Sequence, residues 1–420
     1  MHKRIIIKQF SAIWTVSFML FFRPANYIIG NSLNRYLNYF TLAFAFIFLL
    51  FVIFLQRFNY KMHAVVKIIL VLYFWEIVGS SVINYLLGNK VDFTDVVEFY
   101  ASTVLFVFLC DVGFWYSPKK TIKAFLIVGV LMCSINAITM FIYAKEGGMY
   151  HEVSYYFSNR ISVDYYFLGR DNATFFWSWP VLVMLWLYFY KYKPTRRMLF
   201  VTLAYNVLIV TSYIYVWSVQ AMLACLSVPV ILAFLFRSLK YEKKGKFRNN
   251  LIYRMKFRNL WPIGMGFIIA LPLGNIIVYF TSIIQNVFQK RMTLTGRTLI
   301  WEKSLAWIAK SPVIGYGCEP TEVSIEKILI NHTHNMFLET LYRGGIIGLF
   351  LLVFLFIIIS KYADSAKRGA VHTFLMLMIF VFMISGAVYF AYYRFHYLII
   401  MVCLCHNELQ ENSVLRVNSL

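Results

Sequence analysis

The chain has 420 residues, 61% of them apolar and only 14% charged, against about 25% charged in a soluble domain; a soluble globular fold is excluded. Its 40 basic and 18 acidic residues leave a formal charge of +22. In so apolar a chain that excess is topological, because Lys and Arg are retained on the cytoplasmic side, and nucleic acid is excluded as a partner.

Apolar runs long enough to cross a bilayer recur from end to end. The reading is an all-α integral membrane protein, a single polytopic domain over 1–420 with about twelve transmembrane helices. The expected spans are 10–29, 39–56, 66–87, 97–116, 122–144, 173–190, 198–216, 218–236, 261–282, 336–360, 370–390 and 392–405. No small-residue cleavage site follows Met1–Phe22, so the first span is expected to be its own targeting signal. With the N-terminus inside, 26 of the 40 Lys and Arg fall on inner segments. Every short inner loop is then basic, including 237–260, and both termini are expected in the cytoplasm of a cell-membrane protein. Five of the six cysteines lie in or beside apolar runs and only Cys318 lies in a polar loop, so no disulfide framework is expected.

Two outer segments are long, 145–172 and 283–335. Connections of this length are functional or disordered, and their Trp, Tyr, Ile and Leu content argues against disorder. The first carries Arg160 and Gly169-Arg170-Asp171-Asn172. The second carries Arg291 and then Arg297, Trp301, Leu305 and Ile308, a spacing that predicts one face of a helix. That helix is expected to lie along the membrane surface with Trp301 at headgroup level. The guanidinium of Arg297 suits phosphate oxygens; the plainer reading is a cation snorkelling to lipid heads.

His332 and His334 follow at the mouth of the tenth span, where Asn335 suits a helix cap. Histidine takes a proton near neutral pH; the plainer reading of His334 is a hydrogen bond to a loop. His-x-His supplies two metal ligands and no third is evident, so neither metal nor cofactor is expected. Glu339 and Arg343 stand four apart and can pair. Gly344, Gly345 and Gly348 are expected to admit a neighbouring helix. Near the last span lie Arg394 and His396. In a bundle, these groups would face one outer vestibule, where clustered arginines suit an anionic diphosphate head. His332, Tyr316, Glu339 and His396 stand as secondary candidates.

The ordered set Gly296-Arg297-x-x-x-Trp301, Ser311-Pro312-x-x-Gly315-Tyr316-Gly317, His334-Asn335-x-x-Leu338-Glu339 and Gly344-Gly345-x-x-Gly348 resembles the O-antigen ligase and polysaccharide polymerase (Wzy-type) superfamily. A looser resemblance joins Arg160 or Arg170 to Gly169 and Asn172. The family often opens a middle span with Ser-Arg; here Ser218 is followed by Val219-Gln220, so no cation carries over.

The resemblance implies a metal-independent glycosyltransferase that uses an undecaprenyl-diphosphate-linked glycan at the outer membrane face. It implies catalytic roles for His334 and Arg297, with Arg297 and one of Arg160 or Arg170 holding the diphosphate; Arg291 and Arg394 are further diphosphate-binding candidates. A polymerase of repeat units for capsule, exopolysaccharide or O-antigen is the expected function. A ligase passing glycan to a lipid or protein acceptor, and a flippase for the same lipid, are the alternatives. Membrane lipid, a flippase and a chain-length regulator are the implied partners.

Overall fold

The computed structural model describes residues 2–55, 60–156, 159–170, 173–242, 255–273, 297–364, 370–390 and 395–406. Arg291, Arg394 and the stretch 243–254 of the basic loop lie outside the described residues. In chain order the helices are α1 (His2–Met19), α2 (Asn26–Ile29), α3 (Asn31–Leu55), α4 (Ala64–Leu86), α5 (Phe93–Tyr116) and α6 (Pro118–Tyr143). Then come α7 (Phe175–Tyr192), α8 (Arg196–Tyr215), α9 (Val219–Glu242), α10 (Phe257–Leu273), α11 (Arg297–Ile308), α12 (Thr321–Ile328), α13 (Met336–Ala363), α14 (Ala370–Gly386) and α15 (Leu398–Cys405).

Each expected span overlaps a helix, but not every helix has the length to cross. Among the described residues, five helices are long and apolar enough: α4, α5, the run Pro118–Glu146 that contains α6, α8 and α13. Val219–Leu235, Phe257–Leu273 and Val371–Gly386 are shorter apolar helices. The expected span 392–405 is corrected most. Its helix α15 has 8 residues, about 12 Å at 1.5 Å per residue, well short of a hydrocarbon core of about 30 Å. The repeated apolar helices make the chain a multi-pass membrane protein. α7 is buried along both faces from Phe175 to Tyr190 and forms the centre of the bundle. α3 instead exposes Tyr36, Phe40, Phe46, Ile47 and Leu50, an apolar flank suited to lipid.

Among the described residues the helical bundle carries one small β element, in the first of the two long connecting segments. That segment folds into a three-stranded antiparallel sheet, β1 (Tyr150–Tyr156), β2 (Asn159–Tyr166) and β3 (Gly169–Arg170), in the order β1-β2-β3. The sheet is fixed to the bundle on two sides. Leu168 N donates to Asn136 Oδ1 of α6 at 2.8 Å, and Ala25 N donates to Phe167 O at 2.8 Å beside α2.

The second outer segment carries two helices, α11 and α12, where one was expected. Its glycine-rich stretch is built into the bundle. Tyr316 N and Gly317 N donate to Tyr342 O and Arg343 O at 2.8 and 2.9 Å, and Ile346 N donates to Pro312 O at 2.8 Å. These bonds need a break in α13, which Gly345 supplies at φ 60° and ψ −158°. A Cβ on Gly345 would stand 2.1 Å from Val313 O. Gly344 faces α4, as a close helix approach requires, with Trp75 Nε1 donating to its carbonyl at 2.7 Å. Gly345 serves a different purpose from the one expected, since it receives a loop and not a helix.

Candidate active site

α11 begins at Arg297, and Pro312 with Gly315 follows its end, as the sequence indicates. Its setting differs from the expected surface helix. Ile300, Trp301, Ser304 and Ile308 are its buried residues, and Trp301 is only 2% exposed. Trp301 Nε1 donates to Thr333 O at 3.0 Å. The indole therefore holds the histidine loop against α11 and is covered by protein. A 3.6-residue period identifies a face but not whether protein or lipid covers it.

The loop from Asn331 to Asn335 is fixed from the other side by α13. Asn335 caps α13, its Oδ1 accepting from Leu338 N at 3.1 Å. Asn335 Nδ2 also donates to Ile268 O and Ala387 O at 3.0 and 2.9 Å, tying α13 to α10 and to the end of α14. Glu339 and Arg343 form a buried ion pair at 2.7 Å. Each reaches further: Glu339 Oε2 accepts from Thr333 N at 2.7 Å, and Arg343 donates to Gly317 O and Asn331 O at 2.7 and 2.9 Å. Glu339 is thus a positioning residue for the loop.

Held in this way, His334 adopts φ 59°, a left-handed conformation that a side chain seldom takes without outside support. Its ring packs 4.2 Å from that of His332 and 5.0 Å from that of Tyr389, centroid to centroid. His334 is 7% exposed and its Nδ1 has no hydrogen-bond partner. Burial pushes its pKa well below the usual 6.5, and the nearby His332, Arg297 and Arg170 lower it further. Arg297 is lowered from 12.5 to about 10, first by burial; Tyr389 opposes that shift and Arg170 adds to it. Arg297 therefore stays charged at neutral pH. Arg170, Arg297, His332, His334 and Tyr389 act on one another electrostatically or through ring contacts. They come from β3, α11, the histidine loop and the segment after α14.

A cavity of about 700 Å³ opens beside this cluster, lined among others by Arg170, His332, Tyr389, His396, Arg23 and Glu98, a size that suits a small-molecule ligand. The other site residues expected from sequence distribute as follows. His396 reaches the cavity, but its Nε2 donates to Phe21 O at 2.9 Å and its ring lies among Phe22, Trp177 and Phe395. Tyr316 is structural, its hydroxyl donating to Trp307 O at 2.9 Å. Arg160 lies in β2 in register with Tyr155. Among the described residues, no three His, Cys, Asp or Glu side chains gather as a metal site.

Sequence reading missed Arg23, Glu98 and Tyr389. Arg23 lies between α1 and α2, donating to Leu20 O and Thr41 Oγ1, each at 2.7 Å, and to Asn38 Oδ1. An arginine beside Pro24 at the end of the first expected span was the available signal; Tyr389 carried none.

Residues 175–353 match the O-antigen ligase family. That segment is less than half of the chain, and it contains Arg297, His334 and the glycine-rich stretch. The resemblance read from the ordered motifs therefore holds over the region that carries them. Arg170 and the sheet lie before it. The chain is also similar to a ComP-specific O-oligosaccharyltransferase of Acinetobacter baylyi, 24% identical over 188 residues, which is 42% of this chain and 33% of that protein. A third likeness is to the exopolysaccharide production protein ExoQ of Rhizobium meliloti, 32% identical over 100 residues, 21% of this chain and 22% of that protein. The chain thus spans a third or less of the length of these relatives.

Proposed function

We propose that the chain is a polymerase of undecaprenyl-diphosphate-linked repeat units, acting at the outer face of the cytoplasmic membrane. The observation that carries the reading is the electrostatic cluster of Arg170, Arg297, His332 and His334, of which Arg170 and His332 line the cavity. Two guanidinium groups at such a place suit a diphosphate leaving group, whose charge grows as the glycosidic bond breaks. The cations stand on a strand end and a short loop helix, away from the middle of spans, which favours transfer over transport.

In this reading Arg170 and Arg297 grip the diphosphate and stabilise its departing charge. His334 accepts a hydrogen bond from the acceptor hydroxyl and aims its oxygen at the anomeric carbon; as the new C–O bond forms, the C–O bond to the diphosphate breaks and the hydroxyl proton passes to the departing diphosphate. A depressed pKa makes it a weak base, so orientation is its larger contribution. No step is assigned to a metal or cofactor. A ligase that hands glycan to another acceptor is the second reading, favoured by the oligosaccharyltransferase activity of the Acinetobacter relative.

Arg297→Lys tests the diphosphate assignment. It keeps a charge but replaces a planar fork with a point charge. The expected outcome is loss of most long polymer on a gel, with normal protein levels in the membrane. Wild-type chain lengths in that variant would reduce Arg297 to a surface cation.

A further inference from the structure

The sheet of the first outer segment does more than bring Arg170 to the cavity. Tyr150 of β1 stands directly opposite Tyr165 of β2, and Tyr165 stands directly opposite Arg170 of β3. Side chains of directly opposed residues share a face. Tyr150, Tyr165 and Arg170 therefore form one row across the three strands. Strands lie about 4.8 Å apart, so the row runs roughly 10 Å from the first tyrosine to the guanidinium.

Tyr27 of α2 extends the aromatic end. Its ring stacks on Tyr150 at 5.0 Å between centroids and 17° between planes, and meets Tyr165 edge-on at 5.8 Å. Its hydroxyl donates to Tyr166 O at 2.5 Å, which fixes the ring against the sheet. All three tyrosines and Arg170 line the same cavity, together with Glu98 and Asn34. Tyr150 remains 46% exposed, although it stands in a row of rings that could have packed inward.

We infer that the Tyr27–Tyr150–Tyr165 end of this row is a saccharide subsite, placed to hold the sugars next to a diphosphate seated at Arg170. The chemistry of a sugar ring matches both parts of the lining. Its C–H face is apolar and lies well on an aromatic plane. Its hydroxyl rim needs hydrogen-bond partners, which the Glu98 carboxylate and the Asn34 amide supply. The spacing matches too, since one sugar residue and a phosphate fill about the span of the row. Arginine alone would recognise any lipid diphosphate; the tyrosines add a preference for one that carries glycan. This inference rests on the diphosphate reading for its direction along the row, and on the register and ring contacts for its content.

The test uses the full chain in lipid nanodiscs and two probes: undecaprenyl diphosphate, and the undecaprenyl-diphosphate-linked oligosaccharide extracted from the host's own membranes. Tyr150→Thr places another residue of high strand preference there and removes the ring. It is expected to weaken binding of the oligosaccharide-bearing lipid about tenfold, equal to roughly 1.4 kcal/mol, and to leave undecaprenyl diphosphate bound as in wild type. Tyr150→Phe, which keeps the ring, is expected to restore the difference. Unchanged binding of both lipids in Tyr150→Thr, or equal weakening of both, would make the row a purely structural feature and overturn the subsite. Wild-type protein that holds the oligosaccharide-bearing lipid through Tyr150, but not undecaprenyl diphosphate, would uphold the sugar row and remove the diphosphate site. Binding of neither probe removes both.

Discussion

His334 combines a left-handed backbone, burial and an Nδ1 with no hydrogen-bond partner. That nitrogen sits on a loop fixed by Trp301, Asn335 and Glu339, so it is able to accept a hydrogen bond from a bound group. Its depressed pKa has a definite consequence for pH. The native protein binds fewer protons here than the unfolded chain does. Stability is therefore full above about 6.5 and declines as pH falls from there toward the depressed native value. The imidazole stays neutral through that window, so activity in membranes is expected to hold as pH drops from about 7.5 to about 6, with no inflection at the ordinary histidine value. An acid limb centred near 6.5 would contradict the neutral, hydrogen-bond-accepting role. Replacement gives the complementary test. His334→Ala is expected to slow transfer about 10-fold, the worth of one orienting hydrogen bond, and to let lipid-linked single units accumulate. His332→Ala is expected to be milder, since its ring buttresses that of His334. Unchanged polymer in both variants, at normal protein levels, would remove the histidines from the reaction.

At the scale of elements, the site depends on how α13 grips two loops at once. Arg343 bonds Gly317 O, Asn331 O and Glu339, while Glu339 holds Thr333 N. Breaking a buried pair by removing one partner costs about 3–5 kcal/mol. Arg343→Met is therefore expected to lower the unfolding temperature in detergent and to abolish transfer, although Arg343 does not line the cavity. A wild-type melting curve would show the pair to be dispensable. Much of this region was legible in advance: a helix over Arg297–Ile308, the Asn335 cap and the Glu339–Arg343 pair all follow from local rules of helix geometry. The burial of Trp301 and the use of Gly345 did not, because each depends on a partner distant in sequence. The sheet was partly legible. Val153, Ile161, Val163 and the flanking tyrosines have strand character, but two short strands among membrane helices read as a long loop. Arg23, Glu98 and Tyr389 belong to no local pattern and meet only through the fold.

Over the whole molecule, apolar runs place the helices, and the asymmetry of charge sets the expected orientation. That orientation decides on which side of the membrane the chemistry runs. In the proposed reading a lipid-linked glycan is polymerised where the flipped substrate stands, so the cavity is expected to open outward. The six native cysteines are all buried, which leaves a low background for an impermeant thiol reagent. Glu302 and Lys310 are exposed positions on and just after α11, close to the site but outside the Trp301 contact. Lys244 belongs to the basic run expected inside. With Glu302→Cys, Lys310→Cys and Lys244→Cys made singly, intact cells are expected to show labelling at 302 and 310 and none at 244. Position 244 should label only after the membrane is opened. The reverse pattern would turn the cavity toward the cytoplasm, where the retention of 26 of the 40 Lys and Arg on the opposite face would run against the positive-inside rule. A donor already carried to the outer leaflet could not then reach Arg297.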